Sequence, residues 1–579
     1  MAALFFSPSG MQYDPNTPSS FSNDRFVLSK GHAAPILYAA WAEAGYIDKK
    51  ELLNLRKIDC ELEGHPTGKL DFVDIATGSL GQGLSGACGL AYSMKYLEKQ
   101  RGTHVFVLCG DGEMAEGSNW EALAFAAHYK LDNLVAIVDV NRLGQSEATS
   151  LEHKVSVYKK RFEAFGCHAL DVDGHNIVAI EKALDKARKA KNAPVAIIAK
   201  TFKGRGFGEK IEDKDNFHGK PLGGDAEAVL KELRSTLSSE NGEAPVPAAP
   251  AEESKAPPEG HHSLPKLTYE LGKRVATRTA YGRALRSLGE ASELIVGLDA
   301  DTKNSTMAID LLKERPQQFI ECFIAEQNMV GVALGVSARA RVPFVSTFAA
   351  FLMRAADFAR MCPLSQGNVK LVGSHAGVSI GADGPSQMGL EDLAFFRTLP
   401  GATVLYPSDA VSMERAVELA ANTRGMVYIR STRAETEVIY GCEEEFAVGQ
   451  AKVVQRSKGA KATIVAAGVT LEEARKAAKK LEAQGIGVTV VDLFCVKPVD
   501  AETLEKCARE SNDTILTVED HYPEGGIFEA VCGAMAGKGI AVHKLAVGGL
   551  PRSGQPKELL AMFEIDDNAI VAKVNEILE

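Results

Sequence analysis

The feature that most restricts the fold of this chain is a rhythm in which short β-branched runs alternate with helix-patterned stretches. His104–Leu108, Leu134–Val140 and Val195–Ala199 read as strands, and Ser118–Tyr129 and Asn176–Lys189 as the helices between them. A strand followed by a helix and another strand predicts a parallel sheet with crossover helices. The same rhythm returns with strands near Leu294–Leu298, Phe319–Ile324, Pro343–Ser346, Val369–Val372 and Met426–Ile429. It returns again beyond Val448, with Ala462–Ala466, a helix Leu471–Gln484, Val488–Val491 and Thr514–Thr517. The expectation is an α/β protein of three consecutive domains with mainly parallel sheets. The predicted divisions are 1–238, a linker at 239–268, then 269–440 and 441–579. The linker rests on Ser239–Pro265, rich in Pro, Ala and Glu and without apolar periodicity, which reads as extended and exposed. No comparable stretch marks the boundary near residue 440.

Composition narrows the function classes. A chain of 579 residues, 45% hydrophobic and 24% charged, can bury several cores. Its net charge of −11 is dispersed, which argues against a nucleic-acid or anionic-membrane surface. Met1–Phe6 carries neither a basic region nor a cleavage pattern, and no segment reaches the ~18 apolar residues of a span, so a cytoplasmic protein is expected. Ten scattered cysteines with no CxxC pair disfavour zinc and suit a reducing compartment.

Two polar residues stand at the ends of consecutive predicted strands: Asp111 in Gly110-Asp111-Gly112, and Asn141 after Leu134–Val140. Ligands of open α/β sheets bind at that edge. A carboxylate, an amide oxygen and a backbone carbonyl are hard donors suited to Mg²⁺. Gly-Asp-Gly alone is as well read as a strand-end turn, but followed by this Asn it resembles the motif of thiamine-diphosphate enzymes. Gly81–Gly86 matches GxGxxG, yet Asp71–Thr77 is a poor strand and no acidic residue follows at the ribose-binding distance. Its glycines are expected to let a helix, Leu84–Tyr96, pack closely. Further on, Glu326 follows one predicted strand, and Phe348 and Phe351 follow the next. A carboxylate there could bond an aminopyrimidine nitrogen and the rings could stack on it. A first-turn glutamate and a packed aromatic pair are the ordinary alternatives.

Together these segments resemble transketolase from about Asp24 onward. DRFVLSKGHAAP (24–35), ATGSLGQGL (76–84), GDGEMAEGSNWEA (110–122), AKTFKGRG (199–206), AEQNMV (325–330), STFAAF (346–351) and VEDHYPEGG (518–526) carry the likeness, and Gln387 in GADGPSQM is similar to the animal type. The resemblance implies transfer of a two-carbon ketol group between sugar phosphates, with thiamine diphosphate and Mg²⁺ as cofactors and Ca²⁺ or Mn²⁺ as substitutes. It makes 1–238 the diphosphate-binding domain, 269–440 the pyrimidine-binding domain and 441–579 a domain that supports assembly. It implies that Asp111, Asn141 and the Leu143 carbonyl hold the metal. Gly78, Leu80, Gly112, Lys203 and His218 would lie along the cofactor, and Glu326 would activate it on a platform of Phe348 and Phe351. His32, His65 and His218 would face the reacting carbons. Arg278, Ser305, His375 and Arg433 would bind substrate phosphate, and Asp383 and Gln387 the sugar hydroxyls. A homodimer with sites between subunits is also implied.

The chain departs from the family pattern in three places. It opens at MAALFF, which looks like the middle of the family's first core helix, without the upstream Gly-Ser-Gly-His-Pro segment. Ala382 replaces a usual Glu, and Ala434 a common Pro. Shortened transketolase-like forms have a similar outline. The competing expectation is therefore a weakly catalytic or regulatory subunit that pairs with a longer relative.

Overall fold

The structure is a computed structural model, and it describes residues 1–236 and 246–579. Two compact units result. The first comprises Met1–Pro258 with Gly331–Ala340 and Leu364–Gln366, and the second comprises the remaining described residues.

In the first unit, β1 (Arg25–Leu28), β2 (Val105–Gly110), β3 (Leu134–Val140), β4 (His168–Asp173) and β5 (Val195–Lys200) form one sheet in the order β1-β2-β3-β5-β4. Every pairing is parallel. Val105, Phe106, Val107, Leu134, Val135, Val138 and Ile198 are fully buried, as a sheet covered on both faces requires. The two strands absent from the sequence reading, β1 and β4, are the edge strands. β4 mixes half-covered and exposed residues and so has a weak apolar pattern, whereas β1 is buried throughout but only four residues long.

The GQGLSG segment behaves as the packing reading anticipated. Gln82 precedes a helix, Gly83–Tyr92, in which all ten residues are buried. A Cβ on Gly89 would sit 2.0 Å from the Val332 carbonyl, and one on Gly335 2.0 Å from that of Gly86, so backbones touch there. The expected helix to Tyr96 ends at Tyr92 and finishes in a π turn, Ser93–Leu97.

The second unit holds two larger layers. One sheet takes β7 (Ile295–Asp299), β8 (Phe319–Glu321), β9 (Val342–Phe348), β10 (Lys370–Ser374), β11 (Thr403–Leu405) and β12 (Val427–Arg430). Its order is β17-β11-β12-β10-β9-β7-β8, with β17 (Cys495–Lys497) antiparallel at its edge. A two-stranded ribbon pairs β6 (Arg274–Ala276) with β13 (Glu435–Glu437). The last sheet is β14-β16-β15-β18-β19, built from Lys452–Gln455, Val488–Asp492, Ala462–Ala466, Thr514–Val518 and Ala541–Leu545. Only β14 runs antiparallel in it. Three α/β layers with mainly parallel sheets are thus present.

One strand is shorter than expected. β8 ends at Glu321, where Cys322 still donates to Asp299, and Phe323 then takes φ +59, so a short connection precedes Glu326. Of the expected linker, residues 239–245 lie outside the described residues. The following stretch is not a free tether: Tyr13 N–H donates to the Ala248 carbonyl at 2.7 Å, and Ser254 exchanges bonds with Ser22 and Gln100.

Candidate active site

Strand tips position the first half of the site. β2 ends at Gly110 and β3 at Val140, neighbours in register, so Asp111 and Asn141 leave the sheet side by side. The Asp111 carboxylate accepts from Gly112 N–H (2.9 Å), Arg142 N–H (2.7 Å) and Thr149 Oγ (3.2 Å). Asn141 Oδ1 accepts from Leu143 N–H (3.1 Å), which folds the Leu143 turn back against it. Arg142 adopts φ +63 to make this turn and is anchored by Asp213.

Around these tips gathers a set of cations and imidazoles. Lys203 Nζ lies 2.9 Å from His218 Nδ1, and the His32 and His218 rings are 5.2 Å apart. His65 rests against Gly78, whose φ of +128 leaves only 3.0 Å between a built Cβ and the His65 ring. Lys30, His32, Asp139, Asn141, Lys203 and His218 share the wall of one cavity of about 720 Å³. Leu80 is partly exposed nearby in sequence but is not part of that wall.

Asp111 is not part of that wall, and its shift is opposite in direction to those of the bases that are. Burial raises the Asp111 carboxyl above its ordinary value, and the Asp139 charge adds to this. Burial lowers Lys203 and His218, and neighbouring cations lower them further. Burial first, then Lys30, His218, Lys203 and His65, push His32 down to about 4. A cation beside Asp111 and an anion beside Lys203 and His218 would relieve both strains at once. Among the described residues no three His, Cys, Asp or Glu side chains cluster. One carboxylate, one amide and a backbone carbonyl match a metal that shares its coordination with phosphate oxygens.

Sequence reading missed the residues that hold this edge together. Lys30 donates to Asp139 at 2.5 Å, Thr201 donates to the other Asp139 oxygen, and Asn141 Nδ2 reaches Asp139 at 3.2 Å. Burial alone would raise Asp139, but Lys30 and these donors hold it below its usual value. Asp139 stands two residues before Asn141 in β3, on the same face, and strand alternation could have found it. Glu113, directly after the Gly-Asp-Gly turn, accepts from Ser29 Oγ (2.5 Å), Gly81 N–H (2.9 Å) and Gly110 N–H (2.9 Å). It therefore ties the glycine loop to the strand tip.

The second unit carries the other candidates. Glu326 is 5% exposed at the first residue of the helix Glu326–Ala338. β9 runs on to Phe348, two residues past the predicted end, and a short helix, Ala349–Leu352, carries Phe351. The Phe348 and Phe351 rings are parallel, 5.0 Å apart. His375, expected at the substrate phosphate, is 2% exposed and stacks on Phe348 at 3.8 Å with Nδ1 on Ser374 Oγ. Burial, then Arg278 and Arg433, push His375 down to about 4, so it stays a neutral member of the aromatic stack. Arg278 donates to the Ser305 carbonyl at 2.9 Å and keeps a buried Nε without a protein partner. Arg433 pairs with Asp383 at 2.6 Å, and Gln387 lies half-buried four residues on.

Three sheets of this topology, an acid and an amide on adjoining strand tips, and a buried glutamate opening a helix of a separate layer define a thiamine-diphosphate-dependent enzyme. Profiles of known families agree. The transketolase thiamine diphosphate binding domain matches residues 1–256, the transketolase pyrimidine binding domain 273–438 and the transketolase C-terminal domain 449–570. The chain is 56% identical to transketolase-like protein 2 of Mus musculus and 54% identical to transketolase of Homo sapiens. Both alignments span 100% of this chain and 92% of the relative. The structure of transketolase from Campylobacter jejuni superimposes with a TM-score of 0.85 at 25% identity, over 98% of this chain and 93% of that one. The chain belongs to the transketolase family, and thiamine diphosphate is its cofactor.

Proposed function

We propose that this chain moves a two-carbon ketol group from a ketose phosphate such as xylulose 5-phosphate to an aldose phosphate such as ribose 5-phosphate. Thiamine diphosphate, when bound, supplies a thiazolium carbon that can attack the ketose carbonyl and stabilise the charge left when the adjacent bond breaks. Asp111, Asn141 and the Leu143 carbonyl would hold Mg²⁺, with Gly78, Leu80 and Gly112 along the cofactor and Lys203 and His218 facing the diphosphate. Glu326, already desolvated, would hold a proton at the aminopyrimidine ring nitrogen, and Phe348 and Phe351 would present a flat apolar face to that ring.

His32, His65 and His218 would exchange protons with sugar hydroxyls. The depressed His32 and His218 favour accepting over storing a proton at neutral pH. Arg278, with its unsatisfied Nε, and Arg433 would clamp the substrate phosphate beside Ser305 and His375, while Asp383 and Gln387 orient sugar hydroxyls. The observation that carries this reading is the strand-tip arrangement: Asp111 and Asn141 leave adjoining tips of one parallel sheet, and Asn141 shares a cavity wall with Lys30, His32, Lys203 and His218.

Family relatives support a homodimeric assembly and a cytoplasmic location for the chain. Among the described residues no helix is long and apolar enough to cross a membrane. Purified protein given thiamine diphosphate, Mg²⁺, xylulose 5-phosphate and ribose 5-phosphate is expected to release glyceraldehyde 3-phosphate. No turnover at any cofactor concentration would overturn the proposal, and sedimentation of a lone subunit would overturn the dimer.

A further inference from the structure

The segment that carries Asp383 is held from behind by the last α/β layer. It is a turn, Val378–Asp383, bounded by Gly377 and Gly384 and broken at Gly381, with φ of +81, +84 and +81 respectively. Each glycine has a positive φ that side-chain-bearing residues rarely adopt, and each lacks room for a side chain. A Cβ on Gly377 would fall 2.0 Å from Asp520 Oδ2. One on Gly381 would fall 3.0 Å from the Gly554 carbonyl and 3.2 Å from the Pro556 ring. One on Gly384 would fall 2.6 Å from Ser553 Oγ. All four partners come from the C-terminal layer.

Two of those partners, Asp520 and Pro556, are tied to regular elements. Asp520 follows β18, which lies between β15 and β19, and it is fully buried; its Oδ1 accepts from Val378 N–H at 2.7 Å. Arg430 donates to the Asp520 carbonyl at 2.9 Å and to the Gly389 carbonyl at 2.8 Å, and Gly389 also accepts from Gly377 N–H, so the start of the turn is braced twice. Pro556 opens the helix Pro556–Met562, whose start is locked by a reciprocal bond between Gln555 and Glu558. On its opposite side the turn presents Asp383 to Arg433.

We propose that the C-terminal layer sets sugar recognition, with Asp520, Ser553 and Pro556 acting as positioning residues for the Asp383–Gln387 segment. This rests on the ketol-transfer reading above and gives the third domain a part in substrate selection beyond assembly. Asp520 is the buried anchor, while Ser553 and the half-buried Pro556 flank the turn from the surface, so the turn cannot leave Asp520 without unpacking it. A displacement of the order of 1 Å at the sugar hydroxyls is enough to weaken productive binding.

The test uses the full chain with Ser553→Val, which crowds Gly384, and Asp520→Asn, which weakens the acceptor for Val378. Ser553→Ala serves as the conservative control. The KM for xylulose 5-phosphate is expected to rise on the order of 10-fold in the first two, with kcat within about 2-fold and thiamine diphosphate affinity unchanged. Hydrogen exchange of residues 377–387 should quicken in both, and Ser553→Ala should behave as the parent chain. Unchanged KM and unchanged exchange would overturn the inference, as would a joint loss of thermal stability and cofactor affinity in both variants. If the parent chain itself turns over no sugar, the ketol-transfer reading fails. Exchange alone then decides the clamp: faster exchange supports it, and unaltered exchange removes it.

Discussion

The two groups of candidate residues, one in each unit, are built in contrasting ways. At the first sheet's edge, charged and amide groups from adjoining strand tips bond to one another: Asp111 to the backbone of residues 112 and 142, and Asp139 to Lys30, Thr201 and Asn141. At the second sheet's edge the organising contacts are apolar. Phe348 stacks parallel to both Phe351 and His375, and the arginines arrive singly from the helix Thr277–Ala291 and the segment after β12. Under the proposed function the contrast matches what each group of residues would bind. A metal diphosphate is recognised by charge, and strand tips can fix charge locally. A planar ring and a sugar are recognised by shape, which needs surfaces collected from distant parts of the chain.

The contrast can be broken at several points. The largest effect is expected from Glu326→Gln, where kcat should fall on the order of 10²- to 10⁴-fold while the thermal unfolding curve stays in place. A variant with normal kcat would show that the second group contributes only shape. Next, Asp111→Asn should weaken thiamine diphosphate binding in the presence of Mg²⁺ on the order of 10- to 100-fold, measured by calorimetry. Phe351→Ala should cost less, roughly 2- to 10-fold in the same measurement. If that ranking reversed, the charge-against-shape division would be wrong.

The smallest expected effect is a titration. His32, pushed to about 4, should remain neutral in an NMR titration down to the vicinity of that value, and added pyrophosphate with Mg²⁺ should move its titration upward. The unfolded chain protonates this residue near 6.5, so the contribution of neutral His32 to stability is complete above about 6.5 and is lost as pH falls toward 4. A His32 resonance titrating near 6.5 in the folded protein would mean that the ring is neither desolvated nor held beside cations.

Much of the first group was legible in the residue order. Gly-Asp-Gly and the later Asn point to a strand-end site because each strand ends where its β-branched run ends, a local property. The π turn after Tyr92, the extra length of β9 and the early end of β8 were not legible. Each depends on what the backbone meets beyond its own neighbours, and apolar runs extend or stop according to packing. Lys30 and Glu113 were missed for a similar reason. Both lie in segments that carry the resemblance, 24–35 and 110–122, but their partners are remote in the chain, and only the pairing of the strands brings Ser29 and Lys30 beside Glu113 and Asp139.

The sequence by itself determined the layered α/β plan, the family and the identity of the polar residues at the strand tips, because periodicity and turn residues act over a few positions. Tertiary structure alone decided that His375 joins an aromatic stack, that Asp139 completes the first edge, and that the last layer grips the Asp383 turn. Those outcomes depend on contacts between residues far apart in the chain, such as Gly377 with Asp520, whose energies exist only once the layers have closed on one another.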